Sequence, residues 1–273
     1  MTHQESVEVR DLLDLPQHVQ AARLLAEVWQ TAEPPLPADL LRALAHTGGY
    51  VAGAHLDGHL VGVSVGFLAV DGSLHSHISG VLTRARGRQV GTALKLHQRR
   101  WAIAHGLDTI TWTFDPLLRR NAWFNLTKLG ASAYEYLPCF YGDMLDGLNA
   151  GDQSDRLAVR WDLRGRGAEA ALTGAAVPLS EGELLAAGAA IVLEEVDGSP
   201  RILSSAARSD VPLLLRIPHD IVDLRRADRQ RAQDWRTALR KVLEPLLAAD
   251  HVATGMTRTG YYVVTPPTGR GPL

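Results

Sequence analysis

Gly80-Val81-Leu82-Thr83-Arg84-Ala85-Arg86-Gly87-Arg88-Gln89-Val90-Gly91-Thr92-Ala93-Leu94 carries an apolar run through a basic glycine turn into a helical run. Beyond that helix, Thr109-Ile110-Thr111-Trp112-Thr113-Phe114-Asp115-Pro116 is β-branched and aromatic and stops at proline. Arg120-Asn121-Ala122 then leads a second helical segment to Lys128-Leu129-Gly130-Ala131. Strand, turn, helix, strand and helix in this order predict a phosphate-binding βαβα unit. The first N–H groups of a helix lack intrahelical partners, and with the helix dipole they attract an anion. Glycines let the backbone approach a pyrophosphate, and Arg84, Arg86 and Arg88 can add charge-assisted contacts. A basic surface loop before a helix is the other reading of the same letters, because short glycine patterns recur by chance.

Two familiar phosphate loops are excluded by spacing. The Lys-Ser/Thr ending of a P-loop is missing, and no G-x-G-x-x-G follows a strand, so nucleotide hydrolysis and dinucleotide redox chemistry both drop out.

Upstream, residues 7–11 read as a short strand. Asp14 before Leu15-Pro16 reads as the cap of a helix reaching Trp29, with Leu24, Leu25, Val28 and Trp29 on its inner stripe. A second helix spans 37–47. Residues 50–56 and 60–70 form strands joined by an Asp57-Gly58 turn, Asp71-Gly72 makes another such turn, and 74–82 is a third antiparallel strand. Strict alternation along it puts His75, His77, Ser79 and Val81 on one face and Leu74, Ser76, Ile78 and Gly80 on the other. Downstream of the opening stretch, a strand covers 132–136. The texture changes after Asp146: the Ala/Gly-rich stretch 164–188 reads as a loop with one weak helix at 180–187. Strands follow at 158–163, 190–196 and 213–217, then a long helix from Arg226 that Pro245 must kink or end, and a closing strand at 261–265.

The chain has 273 residues and a formal net charge of -2, so no global field recruits nucleic acid or an anionic membrane surface. Phosphate recognition must be local. The single cysteine, Cys139, excludes an internal disulfide, the polar start has no signal pattern, and no apolar run approaches the roughly 20 residues that span a bilayer. A cytoplasmic location is the expectation.

The string from Val81 to Leu94, the strand after it, and Asn121-Ala122 through Leu129-Gly130-Ala131 resemble the acyl-CoA-binding core of the GNAT acetyltransferase superfamily. The match is nearest to a branch of acetyltransferases whose strand ends Trp-Thr-Phe-Asp-Pro. The resemblance implies that the backbone of Ser79, Gly80 and Val81 pairs with pantetheine where strands four and five splay. It implies that Arg86, Gly87, Arg88, Gln89, Val90, Gly91 and Thr92 hold the pyrophosphate, and that the thioester lies near His77 and Asp115. The superfamily usually has glycine at the place of Gln89. Its thiolate-protonating tyrosine would align with Leu126, and its helix asparagine with Arg119, which makes Asn121 and Asn125 the nearest substitutes and leaves Tyr141, Tyr134 or water as general acid.

Acyl transfer to an amine needs a proton acceptor and donors aimed at the developing oxyanion. His77 suits the first role, since an unperturbed histidine titrates at about 6.5; a strand histidine bonded to a neighbour is the plainer reading. His-x-His lacks a third ligand, so no metal is expected. Asp115 either orients a substrate amine or caps the helix after it. Cys139 reads as an ordinary buried free thiol. Gly62-Val63-Ser64-Val65-Gly66 spells a serine-hydrolase elbow, but it lies inside a hairpin strand, where an elbow needs a strand-to-helix turn.

The expectation is an α/β, GNAT-like mixed central sheet flanked by helices over 1–146, followed by a smaller α+β domain over 147–273. That second domain covers the acceptor side or a homodimer interface. The expected activity is direct transfer of an acetyl or other short acyl group from acetyl-CoA, or another acyl-CoA, to the amine of a small molecule, without nucleic acid or membrane. The competing class is a non-catalytic acyl-CoA-binding sensor or scaffold.

Overall fold

Asp14 opens the first helix by a reciprocal cap: its side chain accepts from the Gln17 amide at 2.9 Å, and Gln17 Oε1 accepts from the Asp14 amide. The structure is a computed structural model and describes residues 7–142, 153–174, 180–203 and 210–267. The domain boundary expected near Asp146 lies outside the described residues. The chain divides into two compact units, 1–112 with 144–151, and 113–143 with 152–273.

In the first unit, strands β1 (Glu8–Asp11), β2 (Tyr50–Leu56), β3 (His59–Leu68), β4 (Leu74–Val81) and β5 (Thr109–Phe114, whose last two residues belong to the second unit) lie in sequence order. Neighbours are antiparallel except β4 and β5, which run parallel. Helices α1 (Leu15–Trp29) and α2 (Ala38–His46) cover one face, where Leu24, Leu25 and Leu41 pack on Val51, Val63 and Val65. Helix α3 (Val90–Ala104) covers the other: Val90 and Leu94 cluster with Ala54, Leu56 and Ala85. Strand alternation explains both, because Val63 and Val65 point to α1 while Gly62 and Ser64 between them face α3. A Cβ on Gly62 would stand 2.9 Å from Val90 Cγ1 and 3.2 Å from Leu94 Cδ1, so α3 is seated where only glycine lets it approach. Gly62 of the Gly62-to-Gly66 motif is therefore a helix-docking feature in mid-strand.

The two Asp-Gly turns work differently. Asp57 and Gly58 both have positive φ (50° and 77°), as a two-residue hairpin turn requires. At the second turn only Gly72 is left-handed, and Asp71 acts through its carboxylate, which accepts from the Ser73 amide at 3.0 Å and the Ser73 hydroxyl at 2.7 Å.

The second unit holds α4 (Arg119–Ala122), which continues into a π-wound turn (Trp123–Lys128), then β6 (Ser132–Leu137), β7 (Arg156–Asp162), α5 (Arg166–Leu172) and α6 (Glu181–Ala186). Among its described residues the Ala/Gly-rich stretch thus forms two short helices in place of the one expected; Ser180 and Glu183 cap α6 reciprocally. β8 (Ala190–Val196), β9 (Ser199–Ile202), β10 (Leu213–Arg216), α7 (Ile221–Ala227), α8 (Arg229–Ala248), β11 (Val252–Met256) and β12 (Tyr261–Thr265) complete it. Its strands run in the order β7-β6-β11-β12-β10-β8-β9. The single long helix expected from Arg226 is two, because Asp228 leaves helical geometry and caps α8 by accepting from the Arg231 amide at 3.0 Å. Pro245 stays inside α8, near its end. Trp235 on the buried face of α8 donates its indole N–H to the Gly198 carbonyl at 3.1 Å. No helix among the described residues is long and apolar enough to cross a membrane.

Candidate functional site

After β4 the chain makes a 3-10 turn (Thr83–Ala85), then passes Gly87 (φ 83°) and Gln89 (φ 64°) into α3. Gln89 therefore adopts the left-handed backbone that glycine takes freely. Its side chain does not cap α3. The first intrahelical bond runs from the Ala93 amide to the Gln89 carbonyl, so the amides of Val90, Gly91 and Thr92 precede it. A Cβ on Gly87 or Gly91 would meet no heavy atom within 4 Å, so the turn has open space above it. Exposed Arg86 and Arg88 flank that space; Arg84 turns to α1, 3.2 Å from Glu27. A cleft of about 580 Å³ lies on the α1 side of the turn and mixes the guanidiniums of Arg23, Arg84 and Arg88 with the carboxylates of Glu27 and Asp57. Uncapped amides, glycine-lined space and flanking guanidiniums fit a pyrophosphate.

On β4 the strict alternation expected along the strand is broken. Gly66 pairs with Ser76 and Val65 with Ile78, so His77 is an extra residue in a bulge. The consequence is visible in the contacts: Ile78 packs with the α1 cluster, whereas Ser76 bonds to Lys95 on α3 and Ser79 joins Ser64 on the α3 face. Ser76 and Ser79 therefore share a face, and His75 and His77 do not share it with Ser79. Their rings instead flank Phe67, at centroid distances of 5.2 and 5.6 Å. Desolvation lowers the pKa of His77; desolvation, then the charges of His77 and Lys95, lower that of His75, whose Nδ1 lies 3.3 Å from Thr111 Oγ1. Both imidazoles are thus neutral at pH 7 and able to accept a proton. The parallel ladder between β4 and β5 spans the pairs Leu74–Ile110 and His75–Thr111, just before the bulge.

A polar network beneath the bulge joins Ser64 and Ser79 to Lys95 and Gln98, two residues that the sequence does not single out. Lys95, only 6% exposed, donates from Nζ to Ser76 Oγ at 2.9 Å and to Gln98 Oε1 at 3.0 Å, and lies 3.9 Å from the centroid of the Trp112 ring. Gln98 Nε2 is 3.4 Å from Ser64 Oγ, which is 2.7 Å from Ser79 Oγ. Desolvation brings Lys95 down to about 7. In a helix full of basic residues Lys95 looks solvated, yet Lys95 and Gln98 lie in phase with buried Val90, Leu94 and Ala102, and that phase is the available signal.

The remaining sequence candidates belong to the second unit. Asp115 is buried; it accepts from the Leu117 amide at 3.0 Å, from Arg225 at 2.7 Å and from Arg236 at 3.2 and 3.3 Å. It both caps the chain after β5 and pairs with two guanidiniums. Asn121 is exposed and Asn125 buried, so the π-wound segment does not present the two amides together. Tyr141 is exposed, its amide donating to Ser154 Oγ at 3.0 Å and its ring 5.2 Å from the Arg156 guanidinium. Cys139 is exposed, not buried, in the loop after β6, where its φ of 47° is left-handed. Among the described residues no group of three His, Cys, Asp or Glu could hold a metal ion.

Residues 2–125 match the family model described as an acetyltransferase (GNAT) domain. No curated protein matches the chain. Similar solved structures include an N-acetyltransferase from Staphylococcus aureus Mu50, with 13% identity, a TM-score of 0.49, and 58% of this chain and 99% of that one covered. An IAA acetyltransferase from Bacillus cereus ATCC 14579 shares 14% identity over 57% and 99% of the two chains at a TM-score of 0.44. An aminoglycoside 6'-acetyltransferase type Ii shares 18% over 58% and 99% at 0.47.

Proposed function

We propose that the protein, whose residues 2–125 match the GNAT acetyltransferase domain model, is an acyl-CoA-dependent N-acyltransferase acting on the amine of a small molecule. The observation that carries this reading is the uncapped start of α3, reached through left-handed Gly87 and Gln89, with open space over Gly87 and Gly91. There the stretch from Arg86 through Thr92 holds the pyrophosphate, chiefly through the amides of Val90, Gly91 and Thr92 that precede the first intrahelical bond, and the backbone of Ser79, Gly80 and Val81 pairs with the pantetheine arm. Bound acetyl-CoA would supply the activated acyl group.

His77 serves as general base. It stands on the bulge at the end of the β4–β5 ladder, neutral at pH 7, and accepts the proton that the amine releases on attack. Calorimetric titration with acetyl-CoA tests the cofactor, and thiol release with a panel of amines tests turnover. His77→Ala is expected to lower turnover about 100-fold or more with acetyl-CoA affinity retained; undiminished turnover would remove His77 from the role.

A second reading, an acyl-CoA sensor without turnover, draws on Leu126, which is buried where the superfamily usually carries its acid tyrosine. Acetyl-CoA binding with no thiol release from any amine would favour it.

A further inference from the structure

Lys95 and Gln98 grip both ends of the His77 bulge from the α3 side: Lys95 holds Ser76 directly, and Gln98 reaches Ser79 through Ser64. The hydrogen bonds along this chain have a forced direction from Lys95 as far as Ser64. An ammonium has only donors, so Gln98 must turn Oε1 to Lys95, which leaves Nε2 to donate to Ser64. Across the 2.7 Å Ser64–Ser79 contact either hydroxyl can donate, and Ser64 Oγ, with one lone pair turned to Gln98, can place its own hydrogen on Ser79 Oγ. Ser79 has then accepted on the inside, and its hydroxyl hydrogen is available on the exposed side of the strand.

We propose that Lys95 is a positioning residue, whose ammonium orders the Gln98–Ser64–Ser79 chain so that the Ser79 hydroxyl points outward as a donor to a carbonyl of the pantetheine arm of acyl-CoA. The inference rests on the acyl-CoA function proposed for this chain, which assigns Ser79 to that arm.

The surroundings of Lys95 make this order depend on its proton. Ser76 from β4, Ser64 from β3, Gln98 from its own helix and Trp112 from β5 face the network, and His75 acts on it through space. Among the described residues no carboxylate pairs with Lys95, and burial without a counter-ion brings its pKa to about 7. The neutral amine formed at higher pH offers a lone pair. Gln98 is then free to turn its NH₂ to Lys95, and the outward direction at Ser79 is lost.

The test measures acetyl-CoA affinity by calorimetry from pH 6 to pH 9 on the full-length wild type, Lys95→Met and Ser79→Ala. Trp112 emission is followed over the same range against a Trp112→Phe background. The wild type is expected to lose about fivefold in affinity through neutral pH, the worth of one hydrogen bond. Both variants should bind at the weaker level and lack the step; titration of the ligand's own phosphates is common to all three. Trp112 emission should change near neutrality in wild type and Ser79→Ala and stay flat in Lys95→Met. Binding with parallel profiles in wild type and Lys95→Met overturns this inference and leaves the acyl-CoA reading standing, whereas no binding by the wild type at any pH removes both. If Lys95→Met does not fold, Ser79→Ala on the exposed side decides: a retained step overturns the role.

Discussion

Asp115 and Arg236 meet inside the second unit, 4% and 1% exposed, with guanidinium nitrogens 3.2 and 3.3 Å from both carboxylate oxygens. Burial alone would raise the Asp115 pKa, but the charges of Arg236 and Arg225, with the hydrogen bonds, hold it below the ordinary value. A depressed carboxylate contributes stability that is present above its unfolded pKa of about 3.9 and lost as pH falls through the lower folded value. Arg236→Met leaves the buried carboxylate with Arg225 alone, and is expected to cost about 3 kcal/mol in urea unfolding at pH 7. With one cation gone the folded pKa rises, so acid unfolding should begin at higher pH than in the wild type. Unchanged stability would mean that Asp115 is not held by this pair.

Gly91 offers a sharper test of the turn than any arginine. A side chain there enters open space, and an acidic residue in the first turn of α3 favours the helix by about 0.5 kcal/mol through its dipole. Gly91→Glu should therefore fold at least as well as the wild type, with an unchanged or slightly higher Tm, while its carboxylate occupies the anion position and abolishes binding of acetyl-CoA. Retained affinity in this variant would move the pyrophosphate off the turn.

Why the turn is legible in the sequence and its surroundings are not follows from the range of the interactions. Gly87, the helix start at Val90 and the Asp14 cap are set by near neighbours in sequence, so the order of elements through α3 can be read from spacing. The bulge at His77 depends on how β3 and β4 pair, and alternation along β4 alone puts His77 on the wrong face relative to Ser79. The partners of Asp115 stand more than a hundred positions away, at Arg225 and Arg236, where no local pattern announces them. β9 follows an Asp197-Gly198 turn with positive φ at both residues, the same signal as at Asp57-Gly58, but Pro200 obscures the strand.

Gly62 can be tested through its distance to Val90. A methyl group there would stand 2.9 Å from Val90 Cγ1, so Gly62→Ala must push α3 off β3 and is expected to destabilise by about 1–3 kcal/mol. Val90→Ala removes the atom that clashes. In a double-mutant cycle read by urea midpoints, Gly62→Ala with Val90→Ala should be less destabilised than the sum of the single changes, by about 1 kcal/mol. Strict additivity would show that the glycine is required for another reason.

Lys95 makes stability respond to alkali in the sense opposite to an ordinary paired lysine. Its folded pKa, about 7, lies below the unfolded value of about 10.4, so between these limits the unfolded chain holds a proton that the folded protein lacks. Unfolding free energy must then rise with pH across this window. Between pH 7 and pH 9 the gain is on the order of 2 kcal/mol, at about 1.4 kcal/mol per pH unit for one proton. Lys95→Met has no such proton to release, although it leaves Ser76 Oγ and Gln98 Oε1 without their donor. Urea unfolding at a series of pH values should show wild type gaining on Lys95→Met as pH rises, the other groups cancelling between the two proteins. Parallel curves from pH 7 to pH 9 would mean that Lys95 keeps its proton throughout, and that its burial beside Trp112 is relieved by water.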